Sequence, residues 1–312
     1  MDVILLFPGQ GSQRPGMGAD LSAEYPAARE VFHAVDRALG IEISTLCFHG
    51  REEDLTSTQN AQPALLAHGA AVWAVTRENL APHVRAAAGH SLGEFTAYHA
   101  AGALEIGKAA RLVRRRGELM LESGVRRPGA MAAIIGLSEA GVEEACRQAS
   151  SADGVVVPAN YNSPDQLVIS GEVAAVDRAM AAAKEAGAKR ALRLKVSGAF
   201  HSPLMQEASN GLRAALENAA MREVAFPVYT NVSAQPANDA SDASSLLLQQ
   251  LSAPVRWTSL VRNLAHDFPA SLYIEIGPGS VLTNLVKRII PGAETATCGT
   301  VADVKLLLAR IS

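Results

Sequence analysis

Gly89-His90-Ser91-Leu92-Gly93 stands between a short apolar run, Arg85 to Ala88, and a segment from Glu94 to Ala101 that reads as a helix closed by Gly102. A G-x-S-x-G pentapeptide in that setting fits a sharp strand-to-helix turn that lifts a serine hydroxyl above a sheet. So tight a turn leaves no room for side chains at its flanks. The helix that follows aims its free amide N–H groups and positive dipole end at developing negative charge. Such a turn needs a strand on one side and a helix on the other, and much of the chain supplies that alternation. Val3 to Phe7 is an apolar run broken by Pro8-Gly9, the signature of a buried strand ending in a loop. Helical spacing of apolar residues marks 27–39 and 61–80, the latter with Pro63 near its start, and a helix is expected over 107–122.

The pattern changes near Gly129. Strand 130–137, helix 138–149, strand 155–159, a turn at Asn162-Ser163-Pro164, strand 166–170, helix 173–186 and strand 189–196 follow one another. That β-α-β-β-α-β order is the ferredoxin-like succession, and its length suits a small inserted domain. The α/β alternation then resumes with strand 228–232, helices 242–251 and 257–265, strand 272–276 and helix 281–290, while the small polar stretch 238–245 reads as a surface loop. The expected organisation is a catalytic domain of residues 1–127 and 197–312, interrupted by a subdomain at 128–196.

Composition narrows the functional classes. With 28 Lys+Arg against 31 Asp+Glu, a net charge of -3 and 48% hydrophobic residues, the chain is neither disordered nor equipped with the concentrated basic face that nucleic acid requires. No stretch approaches the roughly 20 apolar residues of a membrane span, and the opening run lacks the basic leader of a signal peptide. A cytoplasmic protein is expected. Cys47, Cys146 and Cys298 are odd in number and widely spaced, which fits reduced, buried thiols.

A nucleophilic serine needs a base. Of the eight histidines, His90 adjoins Ser91 but points away from it in an elbow, so a packing or hydrogen-bonding role suits it better. His201 lies in Gly198-Ala199-Phe200-His201-Ser202-Pro203, a glycine-loosened loop of the kind that presents catalytic groups, or simply exposes a histidine. Neither HExxH nor a paired CxxC occurs, so metal ligation is not expected. The loop Pro8-Gly9-Gln10-Gly11-Ser12-Gln13-Arg14 is not a nucleotide loop, because Arg14 replaces the third glycine and no Gly-Lys-Ser/Thr follows. It suits an oxyanion hole instead, with the Gln10 N–H as donor. Successive residues on a helix point about 100° apart, so at most one of Arg114, Arg115 and Arg116 can face a given pocket, where it would favour a planar carboxylate.

Taken together, these residues resemble the malonyl-CoA:acyl-carrier-protein transacylases. Phe-Pro-Gly-Gln-Gly-Ser-Gln at 7–13, Gln-Asn-Ala-Gln-Pro-Ala-Leu-Leu at 59–66, Gly-His-Ser-Leu-Gly-Glu at 89–94, Arg116-Gly117, and Gly-Ala-Met-Ala-Ala-Ile-Ile-Gly-Leu at 129–137 carry the likeness. So do Asn162-Ser163-Pro164, Gly-Ala-Phe-His-Ser at 198–202, Pro254-Val255-Arg256-Trp257 and Glu-Ile-Gly-Pro-Gly at 275–279. The resemblance implies an α/β-hydrolase-like large domain around the ferredoxin-like insert. It implies Ser91 as the acylated nucleophile, His201 as its base, and Arg116 as partner of the malonyl carboxylate. The N–H groups of Gln10 and Leu92 would form the oxyanion hole, Gln62 would line the pocket, and the main-chain carbonyl of Gln250 would orient His201 in place of an acid. Phe200 would fill space beside the acyl group and disfavour an α-methyl. The implied partners are malonyl-CoA, as substrate, and a phosphopantetheinylated acyl carrier protein, with no cofactor. The same residues leave open a discrete acyltransferase serving a polyketide synthase, a loading subunit of a malonate decarboxylase, and an editing hydrolase.

Overall fold

The computed structural model describes residues 1–152, 154–196 and 198–311; Ser197, where the second catalytic segment is expected to begin, lies outside them. The strands in chain order are β1 (Val3–Phe7), β2 (Val84–Gly89), β3 (Gly129–Ile135), β4 (Val156–Ser163), β5 (Gln166–Glu172), β6 (Arg190–Arg193), β7 (Val228–Tyr229), β8 (Leu272–Ile276) and β9 (Thr295–Cys298). They form a five-stranded parallel sheet, ordered β7-β2-β1-β8-β9, and a separate four-stranded antiparallel sheet, ordered β4-β5-β3-β6. The mixed α/β class expected from the sequence is therefore observed.

β1 is central because it has no polar residue to expose. Its five residues are all buried, and alternate ones face opposite ways: Val3, Leu5 and Phe7 pack with Phe32, Leu66 and Phe95, whereas Ile4 and Leu6 pack with Trp257, Leu264 and Val286. A parallel strand covered by helices on both sides needs this uninterrupted apolar run. Each such side chain contributes about 1.5–3 kcal/mol relative to exposure. In the antiparallel sheet, alternation splits β3 likewise. Ala130, Ala132 and Ile134 meet Val142, Cys146, Val176 and Ala179 of the helices Glu139–Ala149 and Val173–Glu185, while Met131 and Ala133 face the main core. Backbone bonds from Tyr161 N to Val255 O and from Val255 N to Ala159 O tie the small sheet to the segment preceding helix Trp257–Asp267.

Several boundaries differ from expectation. Asn162 and Ser163 belong to β4, whose pairing with β5 shifts register between Tyr161 and Ser163, so the chain reverses only at 164–165. β6 is shorter than 189–196 because it is a sheet edge with three of its four residues exposed or partly so. The stretch 238–245 is not a loop: Asp239 caps the helix Ala240–Gln250 by accepting from Asp242 N. Helix Gln206–Ala219, β9 and helix Val301–Ile311 are additions. Cys47, Cys146 and Cys298 are buried free thiols, each pushed up to about 12 chiefly by burial. Among the described residues no helix is long and apolar enough to cross a membrane.

Candidate active site

β2 ends at Gly89, helix Leu92–Ala100 begins at Leu92, and Ser91 between them has φ 51° and ψ -106°. That left-handed backbone costs a non-glycine residue on the order of 1–3 kcal/mol. The flanking glycines are steric requirements. A Cβ on Gly89 would lie 1.9 Å from Gly93 C, and one on Gly93 would lie 1.9 Å from Phe7 O. Asn231, just beyond β7, fastens the turn: its Oδ1 accepts from Ser91 N (2.7 Å) and its Nδ2 donates to Gly89 O (2.7 Å). No local sequence pattern marks Asn231, and it was missed.

Ser91 Oγ lies 2.8 Å from His201 Nε2. On the far side of the ring, Nδ1 is 2.8 Å from the main-chain carbonyl of Gln250. A carbonyl can only accept, so Nδ1 carries the proton and Nε2 is free to accept from the serine hydroxyl. His201 is buried, not an exposed loop histidine, and is held with φ 56°. Burial first, and then the charge of Arg116, push its pKa down to about 3. The imidazole is thus neutral at physiological pH, the state a general base needs. His90 turns elsewhere: its Nε2 meets Asn162 Oδ1 at 2.8 Å and its ring packs 5.5 Å from Trp257.

Arg116 projects from helix Ile106–Arg126 into the same space and is 1% exposed. The helix approaches Thr58–Leu80 closely at Gly117, where a Cβ would be 2.7 Å from Gln59 Cα. Nη1 donates to Gln62 Oε1 (2.8 Å), and Nη2 donates to Gln250 Oε1 (2.9 Å) and to Ser91 Oγ (3.1 Å). The guanidinium sits 5.3 Å from the Phe95 ring centroid, and its Nε has no hydrogen-bond partner among the described residues. Burial lowers its pKa to about 10, which leaves it cationic at neutral pH. Its neighbours point away: Arg114 to Glu118 and Asn60, Arg115 to Glu118 and Glu122.

Leu92 opens the helix after Ser91, where the N–H has no intrahelical acceptor. Gly9 passes so near the elbow that a Cβ there would lie 2.3 Å from His90 O, which brings the Gln10 loop alongside Ser91. The Gln10 side chain donates to Thr58 Oγ1 (3.2 Å). Buried Gln62 donates to Met120 Sδ (3.0 Å), so its oxygen is left facing Arg116. Phe200 is also buried, its ring edge near Gly198 opposite Gly124 Cα and Met120 O. Beneath the serine lies Glu94, fully buried, with Oε2 accepting from Asn231 N (2.9 Å) and Gln250 Nε2 (2.7 Å). Burial raises its pKa to about 7. In the sequence Glu94 stands out only as the last residue of Gly-His-Ser-Leu-Gly-Glu. The arrangement has the parts for acyl transfer: nucleophile, neutral base, helix-start amides and a buried cation beside the reacting oxygen.

Residues 4–305 match the family model described as an acyl transferase domain. The chain belongs to the acyl transferase family. It is 43% identical over 302 residues to the malonyl CoA-acyl carrier protein transacylase of Haemophilus influenzae, covering 96% of each chain. Among solved structures it is similar to an acyl-carrier-protein S-malonyltransferase from Bartonella henselae, with a TM-score of 0.95 at 41% identity over 100% of this chain and 99% of that one. It is also similar to a malonyl-transacylase structure in complex with a type II PKS acyl-carrier protein, with a TM-score of 0.94 at 40% identity over 99% and 100% of the two chains. The resemblance read from the motifs thus extends along the whole chain.

Proposed function

We propose that this acyl transferase moves a malonyl group from malonyl-CoA to the phosphopantetheine thiol of an acyl carrier protein through a malonyl-Ser91 ester. The observation that carries the reading is Arg116, a buried cation 3.1 Å from the nucleophilic oxygen, held by the side-chain oxygens of Gln62 and Gln250. A carboxylate is the acyl feature that such a donor recognises in preference to a hydrocarbon chain. Relatives similar over nearly the full length are malonyl transacylases and malonyltransferases, in agreement with it.

In the first half-reaction, His201 Nε2 takes the hydroxyl proton as Ser91 Oγ attacks the thioester carbonyl. The oxyanion rests on the N–H groups of Gln10 and Leu92, donors whose removal elsewhere costs roughly 3–4 kcal/mol each. The C–S bond breaks, and the proton on His201 passes to the departing thiolate of coenzyme A. With Oγ esterified, Arg116 Nη2 is released toward the malonyl carboxylate. In the second half, His201 deprotonates the carrier thiol, the thiolate attacks the ester, the C–O bond to Ser91 breaks, and His201 returns the proton to Ser91 Oγ. Phe200 packs beside the acyl group and works against an α-methyl.

We further infer that 1–127 and 197–312 form an α/β-hydrolase-like unit and 128–196 a ferredoxin-like one. The elbow after β2 supports the first assignment, and the strand order β4-β5-β3-β6 with two helices on one face supports the second. The test is direct: mix the protein with malonyl-CoA, identify the modified residue by mass spectrometry, then add fatty-acid and polyketide carriers. A Ser91 adduct discharged by a carrier is the expected result. Labelling of Ser91→Ala, or loss of the adduct to water before any carrier removes it, overturns the reading, the latter in favour of a hydrolase.

A further inference from the structure

Gln250 makes three separate contributions, and two of them depend on which way its carboxamide is turned. The main-chain carbonyl serves His201 however the side chain lies, but Arg116 requires the side-chain oxygen and would be repelled by the NH2 group. The opposite end of the amide faces acceptors: Glu94 Oε2 at 2.7 Å, Ser91 O at 3.0 Å and Asn231 Oδ1 at 3.4 Å. Of these Glu94 is the shortest contact, and its Oε2, which already takes the Asn231 N–H, stands there as an acceptor. Flipping the amide would set oxygen against oxygen there and NH2 against the guanidinium. Glu94 is itself fixed from behind, because the same Oε2 accepts Asn231 N. Its other oxygen, Oε1, is buried without a hydrogen-bond partner among the described residues.

We propose that Glu94 is a positioning residue for acyl selectivity: it fixes the orientation of the Gln250 carboxamide and thereby holds Arg116 at the site for the acyl carboxylate. The chain of contacts runs Asn231 N–H, Glu94, Gln250, Arg116, Ser91, entirely through groups that never touch the acyl unit until the last two. This deepens the functional reading above and rests on it. Because both bonds fall on one oxygen, a glutamine at 94 can reproduce them with its carbonyl, leaving its NH2 where Oε1 now stands. Leucine reproduces neither, and aspartate withdraws the acceptor by one methylene.

The experiment measures the rate of Ser91 acylation by malonyl-CoA and acetyl-CoA for the wild type, Glu94→Gln, Glu94→Asp, Glu94→Leu, Gln250→Leu and the Glu94→Leu/Gln250→Leu double variant. The malonyl-to-acetyl ratio is expected to fall roughly tenfold in Glu94→Leu, the scale of one lost hydrogen bond. The fall should be smaller in Glu94→Asp, and Glu94→Gln should stay within about threefold of the wild type. The double variant should be no less selective than Gln250→Leu alone, since one effect acts through the other. Equal loss of both acyl groups in Glu94→Leu, or selectivity losses that multiply in the double variant, would overturn the proposal. Should Glu94→Leu not fold, Glu94→Asp against Glu94→Gln decides: an unchanged ratio in Glu94→Asp, or a Glu94→Gln as unselective as Glu94→Asp, overturns it. A crystal structure of Glu94→Asp supplies a readout free of activity, with the Arg116–Gln250 bond lengthened or lost. That result in a protein that never takes up malonyl would sink the functional reading alone; an unaltered bond would sink the positioning role alone.

Discussion

Replacing Arg116 by alanine removes the cation from a fully buried position and leaves Gln62 Oε1 and Gln250 Oε1 without its donors. That damage falls on every acyl group alike, so the informative quantity is the ratio of malonyl to acetyl transfer. Hydrogen bonds to charged partners are worth about 1.5–3 kcal/mol each, and a guanidinium holding a carboxylate through two of them gives about 3–6 kcal/mol of discrimination. At tenfold per about 1.4 kcal/mol, malonyl kcat/KM should drop on the order of 10²- to 10⁴-fold relative to acetyl kcat/KM. The assay is rapid-quench mass spectrometry of acyl-Ser91 with each acyl-CoA. Arg116 is also the largest cause after burial of the low His201 pKa, so the variant's histidine should titrate at higher pH. Rates falling by the same factor for both acyl groups would refute the carboxylate assignment.

Other perturbations test the frame around that cation. NMR of ring-labelled histidine should find His201 neutral at pH 5, since its folded pKa is about 3. A ring titrating near 6.5 would contradict the burial argument. The sign for stability follows: the unfolded chain takes the proton first, so this residue withdraws stability as pH falls from about 6.5 toward 3. Gly93→Ala should destabilise by about 4 kcal/mol or more, because its Cβ would collide with Phe7 O at 1.9 Å; an unchanged Tm would disprove the steric account. Asn231→Ala should lower Tm and slow malonyl and acetyl acylation together. It orphans Ser91 N–H and Gly89 O, at about 1–3 kcal/mol for each buried group. A selective loss of malonyl transfer would contradict its assignment to the elbow.

Local chemistry explains which parts were legible in the sequence. The elbow announces itself because its glycines, apolar strand and helix start are contiguous, and β1 because five apolar residues run unbroken. Helical geometry limited the arginine triplet to one inward member, though only the family resemblance singled out Arg116. Asn231 escaped because its partners lie 140 and 142 residues away and its surroundings are irregular, β7 stopping at Tyr229 where a strand to Val232 was expected. The helix at 240–250 was partly hidden by Ala, Ser and Asp, residues that read as loop until Asp239 is seen to cap it. Gln250 entered through resemblance and for its backbone alone; its side-chain bonds join parts of the chain separated by 134 and 156 residues, beyond any periodicity.

The imidazole of His201 leans on a peptide carbonyl, a dipole without net charge, while the charge that acts on it most strongly is the guanidinium of Arg116. Imidazolium therefore gains little shelter there and cannot linger. For a catalyst acting as proposed, this penalises incoming groups by their acidity: a thiol, with a pKa near 8.5, asks far less of such a feeble base than water at 15.7. Thrift with the stored ester would then come partly from an anion left out of the catalytic row.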